Sequence, residues 1–386
     1  MKVLLNTSTL HKGGVLQTSS AFILQALRHD DGIEWILAVS KTVARELAQF
    51  GAELPGSSIV LDELPSHSRA ARRQVAELEA QVRPDCVFTF SGPAYVRFRS
   101  FHVMGCSNPW VTHSTLTAYR SLFPKGWMDN IARNVYRAYW FTQADAWVVQ
   151  TETARVGLHK RLRRPLDRIA VISNTCGEHY LSQQGHRPFP PPGRPVRFLS
   201  FAAPYRQKNQ DLIPHLIREL ERLRPGLDFK FVLTLPPDHY VGREVLGLAR
   251  RLGVENRIEN LGPVPVARGP ELYRSCDICF LPTLLETFSA NYPEAMAIGL
   301  PIVTTDLGFA HDVCDDAALY FRPRDARGAA ETILRLLDDH QLWDRQIERG
   351  KEVLSRFPTP EQRYRAYIQL LHGLVKGRAT APATVS

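Results

Sequence analysis

Short apolar runs alternate with longer amphipathic stretches along almost the whole chain, and this alternation most restricts how it can fold. Residues 2–6 (KVLLN), 35–39 (WILAV), 86–90 (CVFTF), 101–104 (FHVM), 146–150 (AWVVQ) and 170–173 (AVIS) read as strands. Stretches of helical spacing separate them, for example 16–28 and 70–82. Runs that are apolar at consecutive positions are buried on both faces, so the pattern predicts a parallel sheet covered by helices on both sides. Residues 185–195, GHRPFPPPGRP, interrupt the series. Proline has no N–H and a fixed φ, so this run extends neither helix nor strand and is expected to be a linker. A second series follows at 196–200 (VRFLS), 229–233 (FKFVL), 257–261 (RIENL), 278–281 (ICFL) and 301–304 (PIVT). The expected class is α/β with two parallel-sheet domains, 1–184 and 196–357, and 386 residues suffice for two cores. The tail 377–386, GRATAPATVS, is expected to be disordered.

A hydrophobic content of 44% with 23% charged residues suits a globular chain, and no apolar run reaches the length of a membrane span. The first residues read as a strand rather than a signal peptide, which makes the cytoplasm the expected location. The six cysteines are scattered. Cys276 and Cys279 have redox or zinc spacing, but no second pair accompanies them, and all six are expected to be reduced, mostly buried thiols. The formal net charge of +9 is uneven: residues 1–190 hold 22 Lys/Arg against 15 Asp/Glu, and the rest hold 26 against 24. The densest cluster is Arg155, Lys160, Arg161, Arg163, Arg164 and Arg168. A basic half attracts phosphate, anionic membrane or nucleic acid, and equally describes a solvated helix end.

The segment 282–306, PTLLETFSANYPEAMAIGLPIVTTD, concentrates the chemistry. An apolar strand, 278–281, runs into a loop holding Glu286. Asn291 or Tyr292 then caps a short helix with Pro293 and Glu294 in its first turn, closed by Gly299 and Pro301. A strand-to-helix loop lies at the carboxyl edge of a parallel sheet, where ligands bind. Free N–H groups over 287–291, those of Phe288, Ser289, Ala290 and Asn291 among them, suit a phosphate. The helix dipole is expected to keep Glu294 ionised, and a carboxylate accepts hydrogen bonds from a vicinal diol such as a ribose. The plain alternative is a capped surface helix with acidic residues at its start.

The stretch from Gly262 to Arg322 resembles the group-1 (family four) retaining glycosyltransferases of GT-B fold, and the likeness extends more weakly over nearly the whole chain. LGFAHDVCDDAALYF, from Leu307, is similar to bacterial enzymes of O-antigen and other surface-polysaccharide synthesis. The resemblance implies two Rossmann-like domains facing a central cleft, the first on the acceptor side and the second binding the nucleotide sugar. It implies a last helix, 358–376, that returns to the first domain, with Tyr364, Tyr367, Ile368 and Leu371 as its apolar stripe. It places Glu294 on the nucleotide ribose and Glu286 beside the donor sugar and its phosphate. Gly13 and Gly14, in the run His11-Lys12-Gly13-Gly14, match a glycine-rich loop facing the diphosphate and acceptor. Lys208 matches a cation that neutralises the diphosphate. The Arg expected with it falls at Ala203, and Arg206 stands as its replacement. A histidine beside the donor sugar corresponds to His113, with His102 and Asn108 as other counterparts. Asp145 matches a structural position; Thr151 and Glu152 follow the next strand.

The implied reaction is retaining transfer of a hexosyl unit, mannose being the first choice, to a glycan or lipid-linked acceptor. The implied setting is surface-polysaccharide or lipopolysaccharide synthesis. No Asp-x-Asp is present, so transfer is expected to be metal-independent, and no cofactor is implied. Trp127, Ile131, Val135, Ala138 and Tyr139 recur at helical spacing among Arg133 and Arg137, with Tyr119, Arg120, Phe123 and Lys125 nearby. Such a stripe is more often core. Its other reading is peripheral contact with an anionic membrane at the inner face, shared with the 155–168 cluster. A nucleotide-sugar epimerase of the same fold and a non-enzymatic nucleic-acid-binding protein are the competing functions. The latter leaves the Glu pair idle and shows no nucleic-acid motif, so no nucleic acid is expected.

Overall fold

The computed structural model describes residues 1–11, 13–122 and 126–379, without the side chains of the last two. Lys12, Phe123 and Lys125, named above, lie outside the described residues, as do 380–386. The chain forms two compact units. The first comprises 1–113, 128–173 and the segment from Thr359 onward; the second comprises 114–127 and 174–358.

The first unit holds seven strands: β1 (Lys2–Thr7), β2 (Glu34–Ser40), β3 (Ile59–Leu61), β4 (Cys86–Thr89), β5 (Phe101–Gly105), β6 (Ala146–Val149) and β7 (Ile169–Val171). Their order is β3-β2-β1-β4-β5-β6-β7, and all neighbours are parallel. The consecutive apolar residues fill both faces. Val3, Leu5, Leu37 and Phe88 point into one core, and Leu4, Ile36, Ala38 and Val87 into another. The helix Pro360–Ala379 belongs to this unit, and Tyr364, Tyr367, Ile368 and Leu371 pack with Phe22 and Phe88 in the first core. It runs to Ala379, into the stretch expected to be disordered.

The second unit holds β8 (Val196–Ser200), β9 (Phe229–Leu233), β10 (Ile258–Asn260), β11 (Ile278–Leu281), β12 (Ile302–Thr305) and β13 (Ala318–Phe321). Their order is β10-β9-β8-β11-β12-β13, again parallel throughout. Phe198, Phe231, Phe280 and Val303 face one core; Leu199, Val232, Cys279 and Ile302 face the other. Strand order reverses between β8 and β11, and in the first unit between β1 and β4. At such a switch point the connections leave to opposite faces and open a crevice at the carboxyl ends. β3 and β13 are absent from the strands read above; β3 is only three residues long, with Val60 exposed.

The proline-rich run is not a free linker. The second unit already starts at Asn174, and Tyr180 is buried in its core. Gly185 and Arg187 donate backbone N–H to Ala297 and Gly299 oxygens, and Trp343 Nε1 donates to the Arg187 carbonyl at 2.8 Å. Prolines leave few donors to satisfy, so an extended run can lie flat while its other residues anchor it. The anchor is Asp277, fully buried. It accepts from Arg187 Nε and Nη2 at 2.9 and 2.7 Å, from Arg194 Nη1 and Nη2 at 2.8 and 2.7 Å, and from the Arg197 N–H at 2.9 Å. Burial works against its charge, but these bonds, led by Arg194, outweigh it and hold the carboxyl below the usual range.

The helix Trp127–Phe141 buries Asn134 and Phe141. Ile131, Val135 and Tyr139 are exposed, so of the two readings of this stripe the core one does not hold for most of it. No helix among the described residues is long and apolar enough to cross a membrane.

Candidate functional site

The two loops leaving the switch point of the second sheet carry Lys208 and Glu286. β8 ends at Ser200, and its loop closes in a 3-10 turn, Arg206–Lys208. β11 ends at Leu281, and its loop carries Glu286 before the helix Asn291–Ile298. The loops join where the Leu284 N–H donates to the Gln207 carbonyl at 2.7 Å. Lys208 Nζ then meets Glu286 Oε2 at 2.6 Å. Lys208 is 8% exposed, while Glu286 keeps more contact with solvent. Glu286 Oε1 also accepts the Thr287 N–H at 3.1 Å, so that donor is occupied.

The helix begins without a side-chain cap. Its N-cap is Ala290, not Asn291 or Tyr292, and Pro293 lies at the third helical position. Among the described residues, no protein group accepts from the N–H groups of Phe288, Ser289, Ala290 and Asn291. These donors carry the partial positive charge of the helix start. The side chain of Asn291 is committed elsewhere, donating to the Phe201 carbonyl at 2.6 Å and to Tyr273 Oη at 2.9 Å. Ser289 Oγ donates to Asn291 Oδ1 at 3.1 Å, and Phe288 is packed in the core beside Phe357. The helix closes at Gly299 with φ 81°; an added Cβ would lie 2.5 Å from the Gly185 carbonyl oxygen, so only glycine fits.

Glu294 sits one turn into this helix. Tyr273 Oη donates to its Oε2 at 2.9 Å, and Tyr273 is fully buried. Burial pushes the Glu294 carboxyl up to about 7, against the opposing pull of the Tyr273 hydroxyl. The expectation of a firmly ionised carboxylate is therefore corrected: desolvation outweighs the helix dipole, and protonated and ionised forms coexist near neutrality. Tyr273 is the participant that the sequence concealed, because a Tyr in the helix Gly269–Arg274 reads as one more buried aromatic.

Arg206 does not join Lys208. It pairs with Glu244 at 2.5 Å and lies over the Tyr240 ring at 5.2 Å. The reason is local: the helix Tyr240–Arg251 offers a carboxylate and an aromatic face to the same guanidinium. Its expected role on a diphosphate is not supported by this arrangement.

In the first unit, Gly13 caps the helix Gly14–Arg28 with φ 82°, and among the described residues, chain neighbours and the helix's own backbone aside, nothing lies within 4 Å of an added Cβ at Gly13 or Gly14. His113 ends the helix Pro109–Thr112, half-buried, with Nδ1 2.8 Å from Thr112 Oγ1. The two other counterparts are structural. His102 is buried in β5, with Nε2 2.8 Å from Thr89 Oγ1, and burial lowers its pKa to about 4, so it stays neutral. Asn108 caps the helix before His113, accepting the Trp110 N–H at 3.1 Å. Asp145 holds the His102 N–H at 2.8 Å. Thr151 caps the helix Glu152–Leu162, and Glu152 pairs with Arg155 at 3.3 Å. All six cysteines are buried free thiols. Among the described residues, no group of three or more His, Cys, Asp or Glu could hold a metal ion.

Residues 197–339 match the family model for Glycosyl transferases group 1. This span runs from β8 past β13 and includes Lys208, Glu286 and Glu294. A D-inositol 3-phosphate glycosyltransferase of Corynebacterium efficiens is 26% identical over 240 residues, 59% of this chain and 55% of that protein. The chain thus spans about half the length of that relative. Spinach (Spinacia oleracea) sucrose-phosphate synthase is 32% identical over 98 residues, 24% of this chain and 9% of that one. Among solved structures, Anabaena HepE in complex with UDP-glucose superposes with TM-score 0.70 at 15% identity, covering 97% of this chain and 100% of that one. A glycosyltransferase of Rickettsia africae gives TM-score 0.70 at 15% identity, covering 97% and 98%. The likeness to group-1 glycosyl transferases thus lies in residues 197–339, and the chain has the GT-B fold.

Proposed function

We propose that the protein transfers a hexosyl unit from a nucleotide sugar to a glycan or lipid-linked acceptor with retention of anomeric configuration. The observation that carries this reading is the 2.6 Å contact of Lys208 with Glu286 at the switch point, beside four unused backbone donors. The diphosphate of the donor takes the N–H groups of 288–291 and the Lys208 ammonium. That charge stabilisation lets the C1–O bond to phosphate break without a metal ion. Glu286, released from Lys208, orients the sugar. Glu294, ionised, accepts from the ribose hydroxyls. The acceptor oxygen forms its bond to C1 on the face that the diphosphate leaves, and its proton passes to a phosphate oxygen of the leaving group. Gly13, Gly14 and His113 serve the acceptor side. Arg206 has no part in this scheme.

Mannose is the first donor to test, and surface-polysaccharide or lipopolysaccharide synthesis is the setting, on the likeness of residues 307–321. The site is proposed to work at the cytoplasmic face, held by the outward side of the helix Trp127–Phe141. There Met128 and Val135 are 66% and 65% exposed beside Arg133 and Arg137. Lys160, Arg161, Arg163 and Arg168 lie exposed on the same unit, whereas Arg155 and Arg164 spend guanidinium groups on backbone carbonyls. No nucleic acid is involved.

The test is nucleotide release from UDP-, GDP- and ADP-hexoses with and without a lipid-linked glycan acceptor, in Mg²⁺ and in EDTA, followed by proton NMR of the product anomer. Acceptor-dependent release, unchanged by EDTA, with a retained anomer is expected. Conversion of the donor without acceptor would indicate an epimerase instead, and activity abolished by EDTA and restored by Mg²⁺ would remove the metal-independent scheme.

A further inference from the structure

The second unit carries a cationic cavity that the scheme above does not use. It has a volume of about 590 Å³ and runs along one face of the helix Leu212–Leu223 to the start of the helix Ala326–Asp338. Four arginines line it, Arg218, Arg222, Arg324 and Arg327, together with His215, against two carboxylates, Asp211 and Glu219. Positions 211, 215, 218 and 222 recur at helical spacing, so their side chains share a stripe. The pairings leave charge to spare. Arg222 is held by Glu219 at 2.7 Å, Arg324 lies 3.8 Å from Asp211, and Arg327 is held by Glu331 at 2.8 Å. Among the described residues, no acid lies within ion-pair distance of Arg218 or His215.

A second observation points the same way. Asn209 lines the cavity and is 1% exposed, yet its Nδ2 has no hydrogen-bond partner. A buried amide donor without an acceptor is unfavourable, so its retention calls for a partner that binds there. Planar guanidinium groups and an amide N–H are all donors, and together they describe a site for tetrahedral oxyanions. The width accommodates more than a bare ion.

We propose that this cavity binds a small phosphate-bearing molecule, a phosphomonoester in the first instance, through Arg218, Arg324 and the Asn209 amide. The site is separate in residues from Lys208, Glu286 and Glu294 and does not depend on the reading of those three.

The experiment is calorimetric titration of the full chain with glucose 6-phosphate, inorganic phosphate and glucose, on wild type, Arg218→Glu and Lys208→Ala. Arg218 is exposed and unpaired, so its reversal should not disturb folding, which circular dichroism would verify. The expected result is binding of the phosphates but not of glucose, weakened roughly tenfold or more in Arg218→Glu and retained in Lys208→Ala. Tighter binding of the ester than of inorganic phosphate would identify the sugar part as a contact. Equal affinity in wild type and Arg218→Glu, loss in Lys208→Ala alone, or no binding at millimolar concentration would each overturn the proposal.

Discussion

At Glu294, stability and the proposed ribose contact favour opposite protonation states. Its folded pKa of about 7 lies above the ordinary 4.5, so its contribution to stability is fully present below pH 4.5 and is lost as pH rises through 7. Glu294→Gln keeps the shape and removes the charge. It should therefore raise the stability of the ligand-free protein at pH 8 by roughly 1–3 kcal/mol and flatten its dependence between pH 4.5 and 7. Denaturant titrations at pH 5 and pH 8 would show it; equal effects at both would mean that the burial of this carboxyl is misjudged. Lys208→Ala should abolish transfer while leaving the fold intact, because the ammonium's partner Glu286 retains water and the Thr287 N–H. A variant with wild-type turnover would remove Lys208 from the reaction. At this scale the sequence showed the residue types and their spacing but not their partners. That Lys208, Glu286 and Glu294 follow the carboxyl ends of strands was legible, because an apolar run precedes each connection. Tyr273 was not, since nothing in its own helix marks it as facing a carboxylate. The partners of Arg206 were hidden, because Glu244 and Tyr240 arrive from a helix beyond the next strand, which no local pattern reveals.

At the scale of elements, the alternation of runs predicted most strands, because burial on both faces imprints itself on every residue of a central strand. It missed β3, where a short edge strand carries little of that signal. The proline-rich run was legible as neither helix nor strand, yet its attachment was hidden: Asp277 lies some eighty positions further on and shows itself as an anchor only when folded. Asp277→Asn should destabilise the protein by about 3–5 kcal/mol, because two arginines lose a shared buried carboxylate. Its folded pKa is depressed, so the contribution holds above the ordinary aspartate range and is lost as pH falls through the lowered value. Thermal melts should therefore show wild type and variant converging in acid. Parallel melting curves across pH would contradict the assigned role. The helix Trp127–Phe141 carries its own prediction. Ile131→Ser with Val135→Ser should leave stability unchanged, since both are exposed, while weakening flotation with vesicles containing anionic lipid. Undiminished flotation would remove this helix as the contact.

The whole molecule consists of two units, each with a switch point, and the matched family span lies wholly in the second. The proposed donor site therefore falls in the second unit, where the cation, the two carboxylates and the unused N–H groups all lie at the carboxyl edge of one sheet. Binding of the nucleotide should accordingly survive changes in the first unit. His113→Ala is expected to lower turnover with an unaltered nucleotide affinity, read from the two constants measured side by side, and a matching loss of affinity would contradict the split. The central claim is that this edge is a nucleotide-sugar site, and calorimetric titration of UDP, GDP and ADP into wild type and Glu294→Ala tests it most directly. One nucleotide should bind at micromolar affinity and be weakened by roughly 1–3 kcal/mol in the variant, whereas no binding by any of the three, or binding indifferent to Glu294, would contradict the account.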